Sequence, residues 1–374
     1  MSTPSLFAVF AFLLLAAWTI VWHRSRFGND ETEDLPVADL ADWPKVVAIV
    51  PARDEAAVIA QSLQTLLAQD YPGTFRIVLV DDESTDGTAA VAAATPNGSP
   101  RLSIVQAGPR PLGWTGKLWA VSRGIVQAGS EKWLWLTDAD IAHEPSALRM
   151  LVARAERDQL VLNSRMALLR TANAAERMIV PAFVWFFHLL YPFGRTNDPR
   201  SRVAAAAGGC MLIDRSALER AGGVAAIRGA LIDDVSMGAL LKAQGRIRLA
   251  LTRSTWSLRA YGWRELWEMI TRSAYTQLRF SPWLLGTALV LIISLFWGPV
   301  FLIALRPGYW PIIIFPLISF GRFLHLYRLS ELRVFALPFI ALFYAAATIA
   351  SAVQHWRGRG GMWKGRAQAM ARPA

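Results

Sequence analysis

Residues 133–140 read Trp-Leu-Trp-Leu-Thr-Asp-Ala-Asp. An apolar stretch of strand length runs straight into Asp138-Ala-Asp140. On extended backbone, residues two apart project to the same side, so both carboxylates would face one way. At the carboxyl end of a buried strand, such a pair can hold a hard divalent cation and, through it, a diphosphate. Aspartates are also ordinary turn residues, so the pair gains its meaning from its surroundings.

Upstream and downstream, strand-like and helix-like segments alternate. Val46–Val50, Arg76–Val80, Leu102–Val105 and Trp133–Thr137 read as strands. Ala57–Gln69, Thr88–Ala94, Lys117–Ala128 and Ser146–Arg157 read as helices, the last capped by Ser146. This order predicts an α/β fold with a mostly parallel sheet and helices on both faces. Ligands of such sheets bind outside the carboxyl ends of the strands. Three strands end in polar clusters: Pro51-Ala-Arg-Asp-Glu55, Asp81-Asp-Glu-Ser-Thr-Asp-Gly87 and Asp138-Ala-Asp140. Each alone is compatible with turn chemistry; together they predict one shared crevice.

The chain has 374 residues and a formal charge of +11. Ser5–Trp22 is uncharged and long enough to span a bilayer, and it lacks the charged start of a signal peptide, so it reads as an anchor. A second apolar block divides into Trp283–Leu305, Tyr309–Leu324 and Leu332–Val353. Three spans are expected there, with two spans and a re-entrant piece as the alternative for the Pro-containing middle segment. The expected division is an anchor at 1–27, a linker at 28–42, a catalytic domain at 43–281, transmembrane helices at 282–354 and a basic tail at 355–374. His23-Arg-Ser-Arg26 places Trp43–Phe280 in the cytoplasm by the excess of basic residues on that side. The tail Trp356–Arg366 disagrees, since four spans would put it outside. A basic face beside a membrane suits anionic headgroups and phosphorylated substrates, and no nucleic-acid motif is present. The lone Cys210 excludes an internal disulfide and reads as a small core residue.

Five ordered motifs carry a resemblance: Ile49-Val-Pro-Ala-Arg-Asp-Glu55, Val80-Asp-Asp-Glu-Ser-Thr-Asp-Gly-Thr88, Gly116-Lys117, Thr137-Asp-Ala-Asp140 and Ile232-Asp-Asp-Val-Ser-Met-Gly238. Over roughly Val46 to Phe280 the chain resembles the inverting glycosyltransferase family 2, of GT-A fold. The placement of the apolar spans and the stretches at 113–120 (GWTGKLWA), 275–282 (YTQLRFSP) and 363–366 (WKGR) are similar to membrane-bound, hopene-associated glycosyltransferases of bacteria.

The resemblance implies a hexosyl transfer from a nucleotide sugar, UDP-linked by default, to a membrane lipid hydroxyl, with a hopanoid-type acceptor. It implies a multi-pass protein of the bacterial inner membrane. Asp82 would bind the base, with Pro51, Arg53 and Glu55 lining the nucleoside pocket. Lys117 would lie against the diphosphate or ribose, Asp138 against ribose or sugar and also the metal, and Asp140 on the metal, Mg2+ or Mn2+. Asp234 would be the general base; the family's Glu-Asp is here Asp233-Asp234, which leaves open which acid serves. An acidic helix N-terminus is the structural reading of the same pair.

Gly208 and Gly209 would admit the acceptor, with a buried strand and glycine bend as the alternative. Gln277 would sit beside the acceptor, and Arg279 would clamp the diphosphate; the shortened Gln277-Leu-Arg-Phe280 argues against a processive polymerase. His143 reads as a further metal ligand or a loop residue, and Met178–Phe193 as an in-plane interfacial element or a buried helix. Two other functions are compatible with the sheet. A sugar-phosphate nucleotidyltransferase would need a Gly-rich basic loop after the first strand, and a non-catalytic membrane scaffold would not need the aspartates.

Overall fold

In the computed structural model, the described residues are 6–26, 28, 40–95, 99–358 and the short pieces 362–363 and 366–367. The expected linker and basic tail therefore lie largely outside the described residues. In chain order the strands are β1 Val46–Ala52, β2 Phe75–Asp81, β3 Leu102–Gln106, β4 Trp133–Leu136, β5 Ile141–His143, β6 Leu160–Leu168, β7 Met211–Asp214 and β8 Arg246–Ser257. The helices are α1 Leu6–Ser25, α2 Ile59–Leu67, α3 Thr88–Ala94, α4 Gly116–Gln127, α5 Ala147–Asp158, α6 Ala174–Leu190, α7 Phe193–Asn197, α8 Arg215–Arg220, α9 Asp233–Lys242, α10 Trp263–Gln277, α11 Pro282–Leu305, α12 Ile314–Leu326 and α13 Leu337–Trp356. The chain divides into two units. One comprises 27–170, 193–260 and 362–374; the other comprises 1–26, 171–192 and 261–361. This differs from the expected boundary at 43–281: α6 and α10 cluster with the apolar helices, because their apolar faces are covered there.

The α/β unit is built on one sheet of order β3-β2-β1-β4-β7-β6-β8-β5. β1, β2, β3 and β4 run parallel, β7 is antiparallel to β4 and β6, β8 is parallel to β6, and β5 is antiparallel to β8. The sheet is thus mostly parallel, and its central strands are apolar throughout because both faces are covered. Val46, Ala48 and Val50 pack on one side with Ile59, Leu63 and Leu66 of α2 and Leu148, Leu151 and Val152 of α5. Val47 and Ile49 pack on the other with Leu118 and Val121 of α4 and Met237 and Leu241 of α9. Cys210 is fully buried and accepts the Trp135 indole N–H at 3.4 Å, as its core reading expects. Ser146 stands at the start of α5, but its side chain makes no capping bond; its helical backbone turns the hydroxyl away from that task.

Among the described residues the helical unit contains four segments long and apolar enough to cross a membrane: Leu6–Ser25, Pro282–Leu305, Pro307–Leu326 and Glu331–Trp356. The third begins as a 3-10 turn over Pro307–Ile313, which takes in Pro307 and Pro311, and Pro316 stands in the first turn of α12, where a proline is tolerated. The stretch 178–193 falls mostly within α6, a helix packed among these segments. Its Trp185 stacks on Trp18 of α1 at 6.4 Å and meets Phe320 of α12 at 5.2 Å. Asn173 and Glu176 close a capping box at its start. At its end the Arg24 guanidinium donates to the Leu189 carbonyl at 2.6 and 2.9 Å, satisfying an acceptor that the helix leaves open.

The sheet sets one demanding contact. Gly124 of α4 lies directly over Ile49, and a Cβ there would also stand 3.1 Å from Val80 Cγ2. The expected outcome for Gly124→Ala is a loss of about 1–3 kcal/mol through overpacking, read as a lowered thermal midpoint of the purified full chain. Gly286→Ala in α11, where nothing lies within 4 Å of the added Cβ, serves as the control with an unchanged midpoint.

Candidate functional site

The polar clusters after β1, β2 and β4 open at one edge of the sheet, because these strands are parallel and in direct register. The first two loops are laced together. Glu55 N–H donates to Thr88 Oγ1 at 2.8 Å, Ala56 N–H to Asp86 Oδ2 at 2.9 Å, and Thr85 N–H to Asp54 Oδ1 at 2.8 Å. Asp54 and Glu83 adopt left-handed backbones (φ 50° and 55°). Such conformations cost roughly 1–3 kcal/mol each outside glycine, and the cross-loop bonds hold them. Asp82 is 1% exposed. Arg53 is also buried; its guanidinium donates to the Asp82 carbonyl at 2.5 Å and stands 3.8 Å from the Asp82 carboxylate. Arg53 is therefore a bridge between the two loops rather than a surface ion pair.

At the end of β4 the two aspartates part company. Asp138 Oδ1 lies 2.8 Å from Lys117 Nζ, whereas Asp140 Oδ2 lies 2.8 Å from Arg259 Nε. The same guanidinium holds Glu55 Oε1 through Nη2. Lys117 stands in the first turn of α4, whose start is capped by Thr115, and its ammonium also reaches Asp233 Oδ2 at 3.1 Å. Burial works against the lysine's charge, but Asp138, Asp233 and Asp234 outweigh it and raise its pKa. The Asp138 carboxyl is pushed up by burial and by the charges of Asp140 and Asp233, against the pull of Lys117.

Asp233 and Asp234 open α9, where a helix N-terminus favours negative charge. Gly238, one turn on, lies against the Ala205 backbone with no room for a side chain. That close approach brings Asp234 to the 204–209 loop. Its Oδ2 accepts the Gly208 N–H at 3.2 Å and its Oδ1 the Val235 N–H at 2.8 Å. Burial and then the Asp233 charge push the Asp234 pKa up to about 6, the lysine and the two N–H groups opposing. Lys117, Asp138, Gly208 and Asp233 line one cavity with Pro51 and Met237.

The glycine pair divides its tasks. A Cβ on Gly208 would stand 3.1 Å from Lys117 Nζ and 3.7 Å from Asp234 Oδ2, so its bareness admits the lysine and the acid. The space at Gly209 is filled by the Ile141 side chain at 3.3 Å, a core contact rather than an opening for an acceptor. His143 lies in β5 and is fully occupied: its ring nitrogens meet Thr137 Oγ1 at 2.9 Å and Thr255 Oγ1 at 3.1 Å. Burial, helped by the Arg165 charge, pushes its pKa down to about 3, so it is a neutral core residue and not a metal ligand. Gln277 and Arg279 belong to the helical unit. The Gln277 carbonyl oxygen accepts the Tyr191 hydroxyl at 2.7 Å, and Arg279 turns through a left-handed backbone (φ 52°). Sequence reading missed Arg259, which follows β8 with no motif around it; its signal exists only once β8 is placed in the sheet.

Among the described residues no group of three or more His, Cys, Asp or Glu side chains forms a metal cage. The donor set nonetheless fits a hard divalent cation. Asp140 and Glu55 already share a positive group, and Mg2+-type ions characteristically take one or two carboxylates and complete their shell with substrate phosphates and water.

Comparison with known proteins agrees with this geometry. The family description "Glycosyltransferase like family 2" matches residues 44–276. A beta-monoglucosyldiacylglycerol synthase of Synechocystis is 33% identical over 116 residues, 31% of this chain and 24% of that protein. A probable glycosyltransferase of Bacillus subtilis is 26% identical over 251 residues, 65% of this chain and 58% of that protein. The matched segments thus span well under two thirds of these relatives. A mannosyltransferase from Pyrobaculum calidifontis, solved with GDP-Man and Mn2+, superposes with a TM-score of 0.58 at 21% identity, covering 95% of this chain and all of that one; at that identity the likeness speaks for the GT-A fold. With the family match extending over more than half of its length, the chain belongs to the glycosyltransferase family 2-like proteins.

Proposed function

We propose that the protein transfers a sugar, with inversion, from a nucleotide-sugar donor to the hydroxyl of a membrane lipid. The single observation that carries this reading is the cluster Lys117–Asp138–Asp233 with Asp234 beside it: a half-buried acid with an elevated pKa next to a cation at the carboxyl edge of the sheet. The rival nucleotidyltransferase reading lacks its Gly-rich basic loop, since β1 runs into Pro51-Ala-Arg-Asp-Glu55. A non-catalytic scaffold gives no reason for a carboxylate held near pH 6.

In this reading Asp82, deep between the first two loops, accepts the imide N–H of a uracil base. Pro51, Arg53 and Glu55 shape the nucleoside pocket. Asp138 faces the ribose or sugar, and Lys117, held between Asp138 and Asp233, neutralises charge at the diphosphate. Asp140 would hold the divalent cation, with Asp138 or Glu55 as the second carboxylate, and the cation when bound would neutralise the departing nucleoside diphosphate. Asp234 takes the proton of the attacking hydroxyl. Each of its oxygens accepts one backbone N–H, which fixes the carboxylate and leaves lone pairs for the substrate. Asp233 serves as the like-charged neighbour that raises the base, and its own carboxylate is bound by Lys117. Gly208 keeps the approach to Asp234 open.

A lipid acceptor is supported by the four apolar segments and by a relative whose name is that of a diacylglycerol glycosylating enzyme. The resemblance noted from sequence favours a hopanoid-type lipid and a bacterial inner membrane with the α/β unit on the cytoplasmic side. For Gln277 and Arg279 the roles at the acceptor and the diphosphate are proposed on the resemblance alone.

Two measurements test the reading. With the full chain in detergent, a panel of UDP-sugars and membrane lipids as acceptors, Asp234→Asn is expected to lose at least about 100-fold in kcat, and Asp140→Ala to abolish transfer. Undiminished turnover by Asp234→Asn, or a product that retains the donor's anomeric configuration, overturns the assignment. The second is the pH profile. Asp234 accepts a proton only as carboxylate, so activity is full above its pKa and falls roughly tenfold per unit below about 6. Asp233→Asn removes the like charge and is expected to move that acid limb to lower pH; an unmoved limb assigns it to another group.

A further inference from the structure

Arg259 joins two carboxylates from different loops. Glu55 and Asp140 are almost buried, their side chains 11% and 12% exposed, and the guanidinium between them is 30% exposed. The two acids meet across this one guanidinium. Their mutual repulsion in a partly desolvated crevice is costly unless a cation stands between them.

The guanidinium is placed there by the sheet. β8 runs parallel to β6, and its last residue, Ser257, pairs with Ile141 just after Asp140. Leu258 N–H donates to the Asp140 carbonyl at 2.8 Å, and Arg259 N–H to Ser257 Oγ at 3.3 Å. The backbone of Arg259 is thereby tied to the Asp-x-Asp turn, while its side chain stays long enough and exposed enough to turn elsewhere.

We propose that Arg259 is the resident counter-cation of the donor site, which a divalent ion displaces from Asp140 and Glu55 and which then binds the donor's diphosphate. This rests on the reading that Asp140 serves the metal. Its consequence is thermodynamic. An ion arriving alone must break the Arg259 pairs with Glu55 and Asp140 without bringing the guanidinium a new anion. An ion arriving with a diphosphate leaves it a better one, because guanidinium and phosphate match in a bidentate fork. Cation and nucleotide therefore bind cooperatively, each raising the other's affinity by the same factor. Lysine, a point charge without the fork, would keep only part of this coupling.

The test measures Mn2+ binding to the purified full chain by the electron paramagnetic resonance of free Mn2+, with and without UDP, and with GDP in parallel because the effect concerns the diphosphate. In the native protein UDP or GDP is expected to tighten Mn2+ binding by about 5- to 150-fold, the usual range of coupled sites. Arg259→Ala is expected to bind Mn2+ alone at least about threefold more tightly, because Asp140 and Glu55 are released, and to lose part of the nucleotide enhancement, the remainder coming from direct coordination of the ion by the diphosphate. Arg259→Lys is expected to fall between the two, and its circular dichroism matching the native protein shows that the fold is kept. If Arg259→Ala binds Mn2+ alone no more tightly than the native protein, or keeps the full enhancement, the inference is overturned. Asp140→Ala separates the two levels: loss of Mn2+ binding there with unchanged binding in Arg259→Ala removes the counter-cation and leaves the metal reading intact. Unchanged binding in Asp140→Ala removes the metal reading itself, and the inference with it.

Discussion

The crevice concentrates negative charge, and compensation of that charge is the constraint on which its geometry depends. Asp54, Glu55, Asp82, Asp138, Asp140, Asp233 and Asp234 come from four loops at one sheet edge. Three cations divide them: Arg53 beside Asp82, Lys117 between Asp138 and Asp233, and Arg259 between Glu55 and Asp140. Among the described residues Asp234 has no such ion pair, and it is fixed by two N–H groups. Asp233 shares the lysine, while burial and the Asp233 charge raise the pKa of Asp234. Two adjacent residues of the same type thus acquire unequal chemistry from what surrounds them.

The rest of the α/β unit can be read as support for this arrangement. Gly238 lets α9 close on the 204–209 loop, and Gly208 leaves room for the lysine. The bonds from Glu55, Ala56 and Thr85 hold strained backbone at Asp54 and Glu83. His143, neutral and doubly bonded beneath the Asp-x-Asp turn, braces Thr137, whose hydroxyl also donates to the Gly209 carbonyl. Each of these contacts orders a loop that would otherwise gain entropy by moving. The site is therefore largely formed before any ligand arrives, which is how a catalytic crevice limits the cost of organising itself during reaction.

The helical unit follows a different logic. Its segments are apolar on most faces, and their mutual contacts are aromatic: Trp18 on Trp185, with Phe296 and Phe320 alongside. α6 carries the polar fittings, a capping box at one end and the Arg24 guanidinium at the other, so that backbone groups at both of its ends are satisfied from within the chain.

Composition and periodicity determined the parallel sheet, the apolar helices and the three polar loops, because those depend on local patterns of two and 3.6 residues. Thr88–Ala94 was legible to the residue, and the polar loops holding Asp82, Asp138 and Asp140 stood out because they follow strands; the roles of these residues and of Asp234 rested on the resemblance to glycosyltransferase family 2. Only the tertiary structure decided how the charges pair. Nothing near Arg259 in the chain marks it, since its partners lie 119 and 204 residues away. The same holds for Gly209, where Ile141 from a different strand fills the space, and for His143, whose partners come from three directions. A charge in a strand-end loop is visible in one dimension; the ion that neutralises it is chosen by which strand ends beside it.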